Sequence, residues 1–390
     1  MSRIAVVVPH FRQAEFLAAC LDCLLAQARR PDDIIVIDSS PSDTAAIVAR
    51  YGAPVRHIAS PATGVGAARN QGLHATDCDL VAFLDADNLA APDCLSRHAR
   101  AFDANPDAVL CHGALTPIDR NGDSYDGLTR YDSEQVPFLR QLGWLLERNR
   151  VATDTVCVRR HAVMSLGGFC EVRGVREDYD LWLRLAATGP FVYIDAPLAS
   201  YRRHETNLSN DAGYMHEWEA GALRRVDWAT TRRALHAAFP DQAQRTLVEG
   251  EVRLRRGESG AAQRCFRTLL NGPQAAAAMF HLAHLALDRH DLDAAERLLR
   301  RATREHPSDA GLWNNFGVLL ATRGHRSEAG EAFTSAADLR ACYDDARRNL
   351  EQVCRGAAGE WRVTRRRLRP VLLPLASLAG SPSHPNHHTP

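Results

Sequence analysis

The 390-residue chain predicts two units of different class, an α/β unit with a mostly parallel sheet and then an all-α unit of repeats. Three observations carry this. Short apolar runs alternate with helical patterns in the first half, which implies strands joined by helices. Two of those runs end in carboxylates, at Asp38 and at Asp85-Ala86-Asp87. Beyond Gln242 the pattern turns wholly helical and repeats at a step of about 34 residues.

Each element follows in order. Ala5–Val8 reads as a strand, Ala14–Ala28 as a helix, Ile34–Ile37 as a second strand ending at Asp38. Ser42 caps a helix through Tyr51, and Val55–Ile58 is a third strand. Gly64 opens a helix to about Ala75. Leu80–Leu84 is a strand running into Asp85, and Pro92 suits the first turn of the next helix. In parallel sheets ligands bind beyond the carboxyl ends of strands, where Asp38, Asp85 and Asp87 fall. Cys20 and Cys23 share a helical apolar stripe and read as helix core rather than a redox pair.

The repeats are anchored by Ala261, Ala295 and Ala329, by Cys265, Leu299 and Phe333, and by Pro273 and Pro307. The fullest unit is Trp313, Phe316, Gly317, Leu320, Gly324, Ala329, Phe333 and Ala336. This resembles the tetratricopeptide repeat, with good units at Ala277–His306 and Gly311–Arg340 and a degenerate one at Ala243–Asn271. A final helix from near Tyr343 to Val353 would cap the stack. The expected division is 1–215 for the α/β unit, 216–242 for a helical linker, 243–354 for the repeats and 355–390 for a disordered tail. That tail holds a basic stretch, Arg362 to Arg369, then the apolar Val371–Leu378 and a Pro/Ser/His-rich end.

Composition excludes several chemistries. Basic and acidic residues balance at 47 each, so a nucleic-acid partner is not expected. Every basic residue is Arg, which removes Schiff-base lysines and the P-loop lysine. No run of about 18 apolar residues predicts a spanning helix. The first residues carry no leader pattern, so a cytoplasmic location is expected. The alternative placement is peripheral, at the inner face of the membrane through the basic tail.

The motifs occur in a fixed order: Val6-Val7-Val8-Pro9-His10-Phe11, Val36-Ile37-Asp38-Ser39-Ser40, Gly64-Val65-Gly66-Ala67-Ala68-Arg69-Asn70-Gln71-Gly72, and Phe83-Leu84-Asp85-Ala86-Asp87. Gly167-Gly168-Phe169, Glu177-Asp178-Tyr179-Asp180-Leu181-Trp182-Leu183-Arg184 and Tyr201-Arg202-Arg203-His204 follow. A carboxylate pair one residue apart at a strand end suits a divalent cation with positions left for phosphate oxygens. Together these motifs resemble the inverting family-two glycosyltransferases of GT-A fold, over about Ile4 to Ser209.

The resemblance implies a nucleotide-sugar-binding sheet and a role for each matching residue. Pro9 and Asp38 would line the base and ribose pocket. Arg69 would sit near the base or diphosphate, and Asp85 would face the ribose. Asp87 and His204 would bind a divalent cation, Mn²⁺ or Mg²⁺. Asp178 would be the catalytic base, with Glu177 orienting it or touching acceptor. The implied donor is a nucleoside-diphosphate sugar, of the UDP or dTDP type first. The acceptor would be a glycan, a lipid-linked sugar or a protein, and the repeats would recruit acceptor or a protein partner. Ser39, where many relatives carry an acid, and His10-Phe11-Arg12 depart from the family pattern. Ile118 to Thr155 matches no motif, and Asp154 there reads as either structural or acceptor-facing. Asp180 and Arg184 pair on one helix face, and Trp182 packs. The competing reading is an inactive glycosyltransferase-like scaffold acting through its repeats.

Overall fold

The structure, a computed structural model, describes residues 2–40, 44–60, 64–124, 134–204, 207, 212–340, 343–356 and 360–368. The contacts divide the chain into two compact units, Met1–Pro240 and Asp241–Pro390. Ser42, Val371–Leu378 and the Pro/Ser/His-rich end lie outside the described residues.

In the first unit the strands are β1 (Ile4–His10), β2 (Asp33–Asp38), β3 (Val55–Ala59), β4 (Leu80–Phe83), β5 (Leu89–Ala90), β6 (Leu110–Ile118), β7 (Cys157–Arg159) and β8 (Phe191–Arg202). They form one sheet in the order β3-β2-β1-β4-β7-β6-β8-β5. The β3-β2-β1-β4 half is parallel, as is the β6–β8 pair. The β4–β7, β6–β7 and β5–β8 pairs are antiparallel. The sheet is therefore mixed, its parallel character concentrated in the half that the alternating pattern made legible.

β1 is buried along its whole length, which is why Ile4, Ala5, Val6, Val7 and Val8 run without polar interruption. The chain winds outward from β1 to β3 and returns to the other side of β1 with β4. That reversal opens a crevice beyond the carboxyl ends of β1 and β4, the place where such sheets bind ligands.

The helices here are α1 (Ala14–Leu25), α2 (Thr44–Val48), α3 (Val65–Ala75), α4 (Cys94–Ala104), α5 (Phe138–Glu147), α6 (Arg160–Ser165), α7 (Glu177–Leu185), α8 (Ala212–Arg224) and α9 (Trp228–Ala238). Cys20 is wholly buried in α1 and unbridged, as helix core. The sequence reading made 216–242 a linker, but these residues lie almost wholly inside the first unit. Gly143 of α5 has no side chain, so α5 lies directly against Ala234 and Ala238 of α9.

The second unit is built from α10 (Gln242–Arg255), α11 (Ser259–Arg267), α12 (Ala275–Asp288), α13 (Leu292–Glu305), α14 (Ala310–Thr322), α15 (Arg326–Leu339) and α16 (Asp344–Cys354). Consecutive helices pack in pairs. Gly250 faces the Phe266 ring and Gly317 the Phe333 ring, each so close that a Cβ would lie 2.5 Å from a ring carbon. The periodic small residues thus set the distance between paired helices. Asp291 and Asp309 cap α13 and α14 by accepting backbone N–H bonds. Residues 360–368 do not behave as part of a disordered tail. They lie against α14 and α16, because Asn side chains there satisfy their backbone groups.

Among the described residues no helix is long and apolar enough to cross a membrane. Gly317→Ala forces Phe333 aside, and the overpacking exceeds the gain in helix propensity. A net loss of about 1–2 kcal/mol is expected, read as a lower thermal midpoint. An unchanged midpoint would refute this account of the helix spacing.

Candidate active site

Asp38 closes β2 in register with His10, the last residue of β1. His10 Nδ1 lies 2.9 Å from Asp38 Oδ1 and 3.2 Å from Thr44 Oγ1, while the Ser40 amide and hydroxyl both donate to Oδ1. His57 Nε2 is 3.4 Å from Oδ2. Burial alone would raise the Asp38 pKa, but the hydrogen bonds from His10, Ser40 and Thr44 outweigh it and bring it to about 2. Pro9 is buried one residue earlier. The departure at His10 therefore has a use, since the imidazole holds the carboxylate that the resemblance assigns to the nucleotide.

Arg69 joins three distant motifs. Its side chain is 3% exposed, and it donates to Asp85 Oδ1 and to Glu177 Oε1, each at 2.8 Å. Burial would lower its pKa, but the charges of Asp85 and Glu177 more than reverse that, so the guanidinium is held charged. Its neighbour Asn70 works structurally. The Asn70 amide donates to the Phe169 carbonyl and to Glu171, and its Oδ1 accepts the Phe169 N–H at 2.7 Å. That pins the Gly167-Gly168-Phe169 loop, where Gly168 has φ +78° and lies against the Asn70 amide. Gly66 brings α3 so near α7 that a Cβ would lie 3.1 Å from Glu177 Cβ.

Asp178 lies in the first turn of α7 and is nearly buried. Arg176 grips both its oxygens, at 2.9 and 3.3 Å, the Tyr179 N–H donates to Oδ1 and Thr153 Oγ1 to Oδ2. Glu177 is pushed up by burial and by the Asp178 charge, against the pull of Arg69.

The Thr153–Thr155 turn was the unplaced part of the sequence, and it touches both acidic motifs. Thr153 bonds Asp178, while Asp154 Oδ1 accepts the Asp85 N–H at 2.8 Å. Asp154 is buried beneath the Asp85 backbone, which favours the structural of its two readings. Spacing offered no sign of this turn, nor of Arg176.

Asp87 Oδ2 lies 2.9 Å from His204 Nε2 and accepts from Gln13 Nε2 at 2.8 Å. Burial and the Asp85 charge raise the Asp87 pKa, and His204 opposes the rise. Phe16 stacks on the His204 ring at 5.2 Å, and Arg202 donates to the Asp87 carbonyl. A carboxylate oxygen and an imidazole nitrogen 2.9 Å apart match adjacent ligands of an octahedral ion, which lie about 3 Å apart. Among the described residues no group of three or more His, Cys, Asp or Glu is arranged around a metal position. The pair thus fits a cation that takes its remaining ligands from substrate oxygens and water.

Trp182 is fully buried edge-on to Phe169, so it packs. Asp180 pairs with Arg184 and also with Arg225, in a separate cleft of about 290 Å³.

Burial, then the Asp85 charge, raise the Asp154 pKa to about 8. Unfolded, an aspartate loses its proton near about 3.9. Between these values the folded chain holds the extra proton, so stability falls as pH rises from about 4 to 8. Asp154→Asn keeps the acceptor oxygen and removes the titration. In metal-free buffer, denaturant midpoints of D154N should decline less than wild type across that window; parallel declines would refute the assignment.

The sequence profile of Glycosyl transferase family 2 matches residues 5–166. An uncharacterized glycosyltransferase of Haemophilus influenzae is 25% identical over 183 residues, 46% of this chain and 66% of that one. The amylovoran biosynthesis glycosyltransferase AmsE of Erwinia amylovora is 24% identical over 196 residues, 48% of this chain and 71% of that one. An uncharacterized glycosyltransferase of Rickettsia felis is 21% identical over 214 residues, 52% of this chain. The match spans only 34% of the Rickettsia protein, so the chain covers from about a third to about seven tenths of these relatives. Among solved structures, S. aureus TarS 1–349 in complex with UDP-GlcNAc is similar at TM-score 0.49 and 15% identity, covering 91% of this chain and 92% of that one. The mannosyltransferase PcManGT from Pyrobaculum calidifontis, with GDP-Man and Mn²⁺, is similar at TM-score 0.47 and 19% identity, covering 78% of this chain and 86% of that one. Residues 5–166 thus carry the sequence profile of glycosyl transferase family 2, and the ordered motifs fall in the same N-terminal unit.

Proposed function

We propose that the first unit transfers one sugar, with inversion, from a nucleoside-diphosphate donor to a hydroxyl acceptor, and that it uses a divalent cation. The observation that carries this is the joining of Asp85 and Glu177 by Arg69, with the 153–155 turn bonded to both Asp85 and Asp178. Acidic groups from β4 and α7 thereby share one hydrogen-bonded cluster.

In this reading Asp178 takes the proton of the acceptor hydroxyl as its oxygen attacks the anomeric carbon. Arg176, Thr153 and the Tyr179 amide fix the carboxylate for that task. Glu177, tied to Arg69, positions the start of α7 and stands beside the acceptor. Pro9 and Asp38 hold the base and ribose, with the UDP or dTDP type as first choice, and Asp85 faces the ribose. Asp87 and His204 would hold the cation, Mn²⁺ or Mg²⁺. When bound it would neutralise charge growing on the leaving diphosphate. The second unit, read as tetratricopeptide-like repeats, recruits a partner or the acceptor, which is a glycan, a lipid-linked sugar or a protein.

Nucleoside diphosphate release from a panel of UDP and dTDP sugars tests the reading. Asp178→Asn should cut turnover about 10²- to 10⁴-fold while calorimetry shows donor binding within about two-fold of wild type. EDTA should stop turnover and Mn²⁺ restore it. Wild-type rates in D178N would overturn the base, and full rates in EDTA would overturn the cation.

A further inference from the structure

Among the described residues no third acid, histidine or cysteine completes a metal position with Asp87 and His204. A carboxamide nevertheless stands beside them. Gln13 Nε2 donates to Asp87 Oδ2 at 2.8 Å, and His204 Nε2 lies 2.9 Å from the same oxygen. Both groups meet at one carboxylate oxygen, the one a cation would share with His204. Among the described residues the Gln13 carboxamide makes no other hydrogen bond, so its oxygen has no protein partner.

The start of α1 fixes Gln13 here. Arg12 has φ +56°, a left-handed conformation uncommon outside glycine, and its N–H donates to the Ser40 hydroxyl at 3.2 Å. This turn, where His10-Phe11-Arg12 departs from the family pattern, delivers Gln13 to the N-cap of α1. A capping side chain ordinarily bonds the backbone of its own first turn, but Gln13 makes no such bond and reaches Asp87 instead. Three residues on, Phe16 stacks on the His204 ring at 5.2 Å, so one face of α1 holds both members of the pair. The Arg202 guanidinium lies 4.9 Å from the Phe16 ring and donates to the Asp87 carbonyl, which ties the helix to the same turn.

An amide N–H₂ suits a bare carboxylate and repels a cation. A carboxamide can serve both states, because its nitrogen and oxygen exchange places by a half-turn about one soft bond. The amide position 2.8 Å from Asp87 Oδ2 and the imidazole nitrogen at 2.9 Å both match the spacing of about 3 Å between adjacent ligands of an octahedral ion. Carbonyl oxygens are ligands of the kind that Mn²⁺ and Mg²⁺ take. We infer that Gln13 is a third protein ligand of the divalent cation, giving its Oε1 beside Asp87 Oδ2 and His204 Nε2. Without the ion, its N–H₂ holds Asp87 in place. This ligand role rests on the cation reading above, and it adds a residue from outside the acidic and histidine motifs.

Mn²⁺ binding to the full chain tests this, read by electron paramagnetic resonance as loss of the free-ion signal. The ion is titrated alone and with UDP, and Asp87→Asn supplies the blank. Gln13 is half-buried at a helix start, so Gln13→Leu keeps its length and spares the core. Q13L should bind Mn²⁺ about ten-fold more weakly than wild type. Gln13→Glu keeps an oxygen at this place and adds charge, so Q13E should bind at least as tightly as wild type. If the amide only props Asp87 and is pushed aside by the ion, the sign reverses and Q13L binds as tightly as wild type or more so. That result overturns the inference, as does Q13E binding as weakly as Q13L. Mn²⁺ retained by wild type no better than by D87N defeats the cation reading and this ligand together. Retention by wild type that Q13L matches defeats the ligand alone and leaves the cation reading standing.

Discussion

The first unit depends on one buried cation. Asp85 ends the β4 turn, Glu177 begins α7, and both lie within hydrogen-bond reach of a single Arg69 guanidinium. Without that charge Asp85, a third exposed, and Glu177, largely buried, would repel each other, with Asp178 close by. The cost of removing Arg69 falls mainly on Glu177, the more buried of the two carboxylates, because water screens Asp85. Arg suits the position better than Lys because its planar fork serves two acceptors at fixed angles. The absence of Lys from the whole chain takes nothing from this site.

From this bridge follow the other motifs. α3 must present Arg69 to the sheet edge, so Gly66 lets it approach α7 and Gly72 lets it lie on Val7 of β1. Asn70, next in line, faces the other way and fixes the loop that leads to α7. Two adjacent residues thus set both the charge and the backbone of the far side of the site. The Thr153–Thr155 turn completes the arrangement from below, bonding to the backbone of one acidic motif and the side chain of the other.

Much of the sheet was legible because burial on both faces demands continuous apolar runs, and strand-end carboxylates stand out against them. The antiparallel half was less legible. β5 has two residues and β7 three, too short for any period to register. Arg176 was invisible for a different reason: an arginine two residues before an aspartate carries no spacing signal until α7 turns both toward one side. Asp154 could be noticed as a carboxylate but not assigned, since only folding brings it under Asp85. Likewise 216–242 looked like a linker, because the glycine that seats α9 is Gly143, far upstream.

The second unit posed the opposite problem. Its apolar and small residues repeat and so announce the helix pairs, but Asn314 and Asn315 fall between the repeating positions and read as ordinary helix polarity. Their burial makes sense only with a partner for each amide. In a helix interior the backbone is already paired, so a buried carboxamide there must look outward for its hydrogen bonds. Two consecutive ones on a single turn cannot both point into the apolar seam with α15, where Gly317 and Phe333 leave no room. An extended backbone laid across α14 satisfies both at once, and the segment that supplies it packs Trp361, Val363 and Leu368 on the helices as well. What looked like a solvated basic tail is held by the same rule that governs Asp154: a buried polar group fixes whatever supplies its missing hydrogen bond.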